Sequence, residues 1–329
     1  MGALIMHEIA LEKVDVVLLK SFVKFIQTAG IPSVIEGNKK NTELAELAEL
    51  AICNKIQPFL AKILDSGQNW ADRYNQFLSV LACIGDLLSD LDYSIIKTLR
   101  PVPHIPSDVD ILVEPSGFFE ARRRLALQNF EVLDICPFGV TLYDQRTDFN
   151  ADLCWELSVL GMKYIDRGLI LSNTIEHEVC NTKIKVPNPS LDLLVVIDHS
   201  VFKEGIYTLR DFYTIMPWLQ YLPRTIDLAF RESDALAMRF FLATTYLILK
   251  ESLGEEHVTT KQIADILVKV PTGSIPTLPY KYNLTEVADC FVSKGGYFLK
   301  TKGFEGLIAN SMSTKTFRLF VNYLRRKAY

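Results

Sequence analysis

At Ser94 the hydrophobic period of this chain changes, and that change most constrains what it can fold into. From Leu11 to about Asp90 apolar residues recur at three and four, as in Leu44, Leu47, Ala48, Ala51 and Ile52, the period of amphipathic helices. Gly30-Ile31-Pro32, Gly37-Asn38 and Ser66-Gly67-Gln68 divide that run into three or four helices. After Ser94 short apolar runs bounded by turn residues predict strands over 94–97, 109–114, 132–135, 140–143 and 149–157, with one helix over 118–130. A hairpin follows over 174–186 around Asn181-Thr182, and Pro187-Asn188-Pro189-Ser190 opens a helix with Ser190 as its expected N-cap. Helical periods then return over 209–222, 226–253, 261–270 and 315–327, interrupted by a Pro-rich connector at 271–279.

Helices, then strands, then helices specify an α+β protein, with a small mixed β-sheet core between an N-terminal helical segment and a C-terminal helical domain. The expected divisions are 1–90, 91–187 and 188–329. Composition narrows the function classes. With 35 basic and 39 acidic residues the net charge is −4, so no global positive field exists to hold duplex nucleic acid by counterion release. The uncharged apolar run from Phe240 to Leu249 is too short to span a bilayer. The start of the chain has neither a basic leader region nor the Ser or Thr of a myristoylation signal. Six cysteines without a C-x-x-C pair suggest neither a disulfide framework nor a zinc cluster. A cytoplasmic location is the expectation.

The chemistry concentrates in Ser107-Asp108-Val109-Asp110-Ile111-Leu112-Val113. Side chains on a strand alternate faces, so Asp108 and Asp110 share one face while Val109, Ile111 and Val113 take the other. Two like charges this close ask for a cation, and hard carboxylate oxygens suit Mg²⁺ or Mn²⁺. Asp152, in a run whose apolar partners Leu153 and Trp155 take the opposite face, is the expected third acid; Asp148 has the same parity and is the substitute candidate. Such a triad suits two divalent ions about 4 Å apart, stabilising attacking and leaving oxygens in a displacement at phosphorus.

Those residues, in that order, resemble the polymerase-β-type nucleotidyltransferase superfamily, and within it the uncharacterised minimal bacterial and archaeal branches. The resemblance rests on Ile95-Ile96-Lys97, Leu99-Arg100-Pro101, Ser107 to Val113, Asp152-Leu153-Cys154-Trp155, the Pro-led segment from Pro187 to Leu194, Asp198-His199 and Leu209-Arg210-Asp211. It covers about 94–213. It implies transfer of NMP from an NTP, ATP being the expected one, to a hydroxyl-bearing acceptor with release of pyrophosphate. A small molecule or protein is favoured over RNA as acceptor, and no membrane partner is expected. Asp108, Asp110 and Asp152 would be both catalytic and metal-binding; Lys97, Thr98, Arg100 and Ser107 would line the phosphate side.

One position departs from the pattern. Where the superfamily carries Gly-Ser or Gly-Gly after the first strand, this chain has Lys97-Thr98, which keeps a hydroxyl but loses the close backbone approach of glycine. That departure supports an alternative, a catalytically silent nucleotide-binding or protein-interaction module on the same fold. A helical adaptor with an incidental sheet is a third possibility. Arg122-Arg123-Arg124 reads as a solvated helix face, His199 as a core or rim group outside the catalytic set, and Trp70, Trp155 and Trp218 as core. No Rossmann or P-loop glycine string is present.

Overall fold

Tyr93-Ser94-Ile95-Ile96 is a run of β-prone side chains stopped by a polar turn, and it forms strand β1 (Tyr93–Ile96), buried on both faces. In the computed structural model the described residues are 67–101, 104–159, 162–267, 269–272 and 278–311. The helices expected within 1–66 and over 315–327 lie outside them. Helix α1 (Gly67–Leu88) precedes β1, and β2 (Asp108–Val113), α2 (Phe118–Leu127), β3 (Phe130–Cys136), β4 (Gly139–Asp144) and β5 (Phe149–Cys154) follow it.

These strands make one five-stranded sheet in the order β1-β2-β5-β4-β3. β2 and β5 run parallel, and every other neighbouring pair is antiparallel. The architecture is therefore mixed α+β around a mixed sheet. Alternation sorts the side chains. Val109, Ile111 and Val113 of β2 join Ala151 and Leu153 of β5 in a core shared with Phe77, Leu81 and Ile84 of α1 and Ala121 and Leu125 of α2. Ile96 and Leu112, of opposite parity, join a second core built by the C-terminal helices. The sheet thus has α1 and α2 on one face and the later helices on part of the other, which is the face that receives Asp108, Asp110 and Asp152.

Strand β3 closes one edge, with every residue after Phe130 exposed and its register shifted between Val132 and Asp134. Beyond the sheet, β6 (Ser158–Val159) pairs with β7 (Met162–Lys163), the short helix α3 (Arg167–Leu171) follows, and β8 (Thr174–Val179) and β9 (Thr182–Pro187) form the expected hairpin. Its turn is Cys180-Asn181 rather than Asn181-Thr182, since those two residues take φ of 49° and 64°, the doubly left-handed bend that matches strand twist. The next helix, α4 (Pro189–Asp198), is capped by Asn188 and not by Ser190: the Asn188 side chain accepts from the Leu191 N–H, and Pro189 occupies the first turn. Every residue from Ser190 to Asp198 is buried, as an all-round apolar helix requires.

A π-helix (His199–Glu204) continues α4 and ends at Gly205 in the left-handed region, φ 65°. Helices α5 (Leu209–Trp218), α6 (Leu222–Arg231), α7 (Ala235–Leu253), α8 (Val258–Ile266) and α9 (Leu284–Ser311) complete the described chain. The stretch read as one helix over 226–253 is two, because Ser233 turns left-handed (φ 61°) and the buried Asp234 carboxylate is held at 2.7 Å by Lys294 of α9, a partner far along the chain. The run over 209–222 likewise breaks after Trp218. Trp155 packs edge-on against Phe118, and Trp218 is buried; the Trp70 side chain lies outside the described residues. No helix among the described residues is long and apolar enough to cross a membrane.

Two glycines test the packing. A Cβ on Gly139 would lie 2.4 Å from the Leu153 carbonyl oxygen and 2.9 Å from Cys154 Cα, both backbone atoms of the paired strand. Gly139→Ala is expected to cost more than about 2 kcal/mol in urea unfolding. Gly296, in α9 with nothing within 4 Å of its would-be Cβ, should gain roughly 0.5–1 kcal/mol on Gly296→Ala.

Candidate metal centre

Parallel pairing of β2 with β5 sets Asp108 beside Asn150 and Asp110 beside Asp152. Strand parity and register alone therefore put three carboxylates on one face, and one oxygen from each of Asp108, Asp110 and Asp152 lies within 4.8 Å of the others. All three are half-buried. Thr141, directly across from Asp152 on β4, donates its hydroxyl to Asp152 Oδ1 at 2.7 Å. Ser107 Oγ donates to Asp108 Oδ1 at 2.8 Å. The substitute acid, Asp148, is elsewhere: it sits in a turn at φ 55°, bonded to Tyr143 and ion-paired with Arg73. Asp144 anchors that turn through Arg146 and Thr147.

A donor set of three carboxylates can hold a metal ion, and its hard oxygens fit Mg²⁺ or Mn²⁺ rather than a soft metal. Burial raises the Asp152 carboxyl above the usual range, and the charges of Asp110 and Asp108 add to that while the Thr141 hydrogen bond opposes it. Cys154 stands next in β5, but its thiol donates to the Ile111 carbonyl and burial pushes it up to about 12, so it stays protonated and is no nucleophile here.

Asp108 and Asp110 form part of the wall of a cavity of about 340 Å³. Lys97, Thr98, Arg100 and Ser107 also line it; Asp152 is not part of the lining. Each of the four expected phosphate-side residues is already engaged. Lys97 Nζ lies 2.9 Å from Asp110 Oδ1 in a nearly solvent-free ion pair. Thr98 Oγ1 donates to the Ile96 carbonyl at 2.8 Å. Arg100 donates to the Lys97 carbonyl and to Asp211 Oδ1 at 3.2 Å, and Ser107 is turned to Asp108.

Lys97 stands at the position where the resembled superfamily carries glycine. It adopts φ 56°, the left-handed bend that glycine supplies freely, and its N–H donates to Asp192 Oδ1 at 2.9 Å. Asp192 projects from the buried α4, and Asp211 both accepts from Arg100 and closes the capping box of α5 with Thr208. Both ends of the turn are thus pinned to the helical side of the molecule.

Besides His104, Ile105 and Pro106 of the segment before β2, four lining residues fall outside the expected set: His199, Lys203, Glu204 and Arg210. The first three come from the π-helix, which brings them to the cavity from one short segment. His199 Nδ1 lies 3.1 Å from Lys97 Nζ, and Nε2 lies 3.2 Å from Glu204 Oε1. Burial, then the Lys97 charge, holds the imidazole well below its usual range, so it is neutral. Burial pulls the Lys203 ammonium down, yet the charges of Asp110, Asp152, Asp108 and Glu204 together lift it above its ordinary value. Arg210 is depressed to about 10 by burial and by Arg100, stays charged at neutral pH, and its Nε has no hydrogen-bond partner among the described residues. The signal available in sequence was the pair of segments Asp198-His199 and Leu209-Arg210-Asp211; nothing marked Lys203.

No protein-family model matches this chain, and no curated protein does either.

Burial raises Asp192 to about 6 from an ordinary 3.8, against the Lys97 N–H and the charges of Arg100 and Lys97. The folded state therefore holds this proton after the unfolded chain has lost it, so the carboxyl's contribution to stability falls as pH rises through the interval between those values. Asp192→Asn keeps an oxygen for the Lys97 N–H and removes the titration. Its stability relative to the parent should rise between about pH 4 and pH 7, by at most about 3 kcal/mol, in denaturant unfolding at both pH values. A difference independent of pH would contradict the assignment.

Proposed function

We propose that this protein is a metal-dependent nucleotidyltransferase, transferring NMP from an NTP, ATP being the first choice, to a hydroxyl-bearing small molecule or protein. The observation that carries the reading is the convergence of Asp108, Asp110 and Asp152 from two parallel strands beside a cavity with Lys203 and Arg210 in its wall or facing its acids. Acids and buried bases in one cavity wall are the charge pattern wanted by a polyphosphate that arrives with divalent cations. Bound there, Mg²⁺ or Mn²⁺ would neutralise the developing phosphate charge and favour the deprotonated acceptor hydroxyl. Asp108, Asp110 and Asp152 are the residues that would hold it.

The remaining roles belong to the chain. Lys203 and Arg210 would grip phosphate oxygens by charge-assisted bonds, with Lys97, Thr98, Arg100 and Ser107 beside them. The acceptor oxygen would attack the α-phosphorus, the bond to the bridging oxygen would break, and pyrophosphate would leave. Asp152 would hold the metal nearest the acceptor and so help lower the pKa of its hydroxyl, whose proton would pass to solvent. The helical side would choose base and acceptor.

One observation favours a second reading. Because Asp110 is already paired with Lys97, the acids have internal counter-charge, which suits a module that binds a nucleotide without turning it over.

Thermal unfolding separates these readings. ATP with Mn²⁺, at about a hundredfold excess over Kd, should raise Tm by roughly 5 °C, and Asp108→Asn with Asp110→Asn should remove that rise. Equal shifts in parent and double variant would reject the metal site. Metal-dependent binding with no pyrophosphate release against any offered acceptor would favour the silent module.

A further inference from the structure

Lys97 carries two costs at once. A non-glycine residue at φ 56° is strained by about 1 kcal/mol, and a side chain only 5% exposed has lost most of the water around its charge. Neither cost is needed to make the turn, which a glycine would make freely. What the position gains is an ammonium inside the acid cluster.

That ammonium has a second partner. A lysine ammonium can only donate, so the contact with His199 Nδ1 makes that nitrogen the acceptor and places the ring proton on Nε2, which then donates to Glu204 Oε1. Lys97 Nζ is therefore suspended between Asp110 Oδ1 at 2.9 Å and His199 Nδ1 at 3.1 Å. A divalent cation on the three aspartates needs the same Asp110 carboxylate and would lie within a few ångströms of a fixed positive charge, where repulsion is only weakly screened.

We propose that Lys97 is a built-in counter-cation, which holds Asp110 while the site is metal-free and yields it when a divalent cation and a polyphosphate arrive together. His199 keeps hold of the ammonium, and the phosphate oxygens replace Asp110 as its second partner. Metal alone then binds poorly because it must unseat Lys97 with nothing to receive it. Nucleotide supplies the receiver, so metal and nucleotide bind with positive coupling. This inference rests on the reading of the three aspartates as metal ligands.

The test is direct Mn²⁺ binding by the full chain, read from the electron paramagnetic resonance of free Mn²⁺, without nucleotide and with saturating α,β-methylene-ATP. Lys97→Met removes the charge at similar length. Lys97→Gln, whose amide still donates, carries the same measurement should the methionine variant not fold. Both are expected to bind Mn²⁺ alone roughly tenfold tighter than the parent and to lose most of the enhancement that the nucleotide analogue gives it. Unchanged or weaker Mn²⁺ binding in these variants, with Asp110→Asn abolishing it, would overturn the role of Lys97 and leave the metal site standing. Mn²⁺ binding that Asp110→Asn does not impair would remove the metal site itself, and the Lys97 proposal with it.

Discussion

Three carboxylates held on one sheet face repel one another, and the fold must answer that repulsion before it can do anything else at this site. The parallel register of β2 with β5 creates the problem by setting Asp110 against Asp152. Positive charge from two directions answers it. Lys97 reaches Asp110 from the turn after β1, and Lys203 of the π-helix brings a second positive charge whose ammonium is stabilised by the charges of the three acids. Neither lysine belongs to the strands that carry the acids, so the acidic face depends on the sheet edge and the helical side being joined correctly. The two pins at Asp192 and Asp211 make that joint, each linking the turn of residues 97–100 to a helix.

Much of the sheet was legible in sequence because a strand's period is short and its consequences are local. Asp108 and Asp110 share a face by parity alone, and Asp152 could be sought on a neighbouring strand by the same rule; the structure brings all three together. Where prediction slipped, the deciding contact was either a matter of backbone dihedral or distant in the chain. The hairpin turn shifted by one residue because Cys180 accepts a left-handed φ. Asn188 displaced Ser190 as cap because its carboxamide reaches the Leu191 N–H, with Pro189 already in place. Lys294 ends a continuous helical pattern at Asp234 from 60 positions away.

The basic half of the cavity was the least legible part. Its residues lie on a π-helix and the following helix, where neither a 3.6-residue stripe nor a two-residue alternation announces a shared direction. Lys97 is the sharpest case. In sequence it reads as the loss of a glycine, whereas the backbone still bends as glycine would and the side chain supplies a charge that glycine could not. A lysine in this turn therefore keeps the bend and adds counter-charge beside the acids.

The open strand β3 has a consequence for how this protein behaves in company. Its exposed Val132, Leu133 and Ile135 are side chains that another extended segment would welcome, and a ladder edge with no partner among the described residues invites strand addition and aggregation. The register shift between Val132 and Asp134 spoils the straight template such a segment would need, while the exposed Glu131 and Asp134 would meet the same acids on an approaching copy. Irregular backbone and like charge thus act together as a guard against runaway stacking, and straightening the strand or neutralising its acids would compromise solubility before stability.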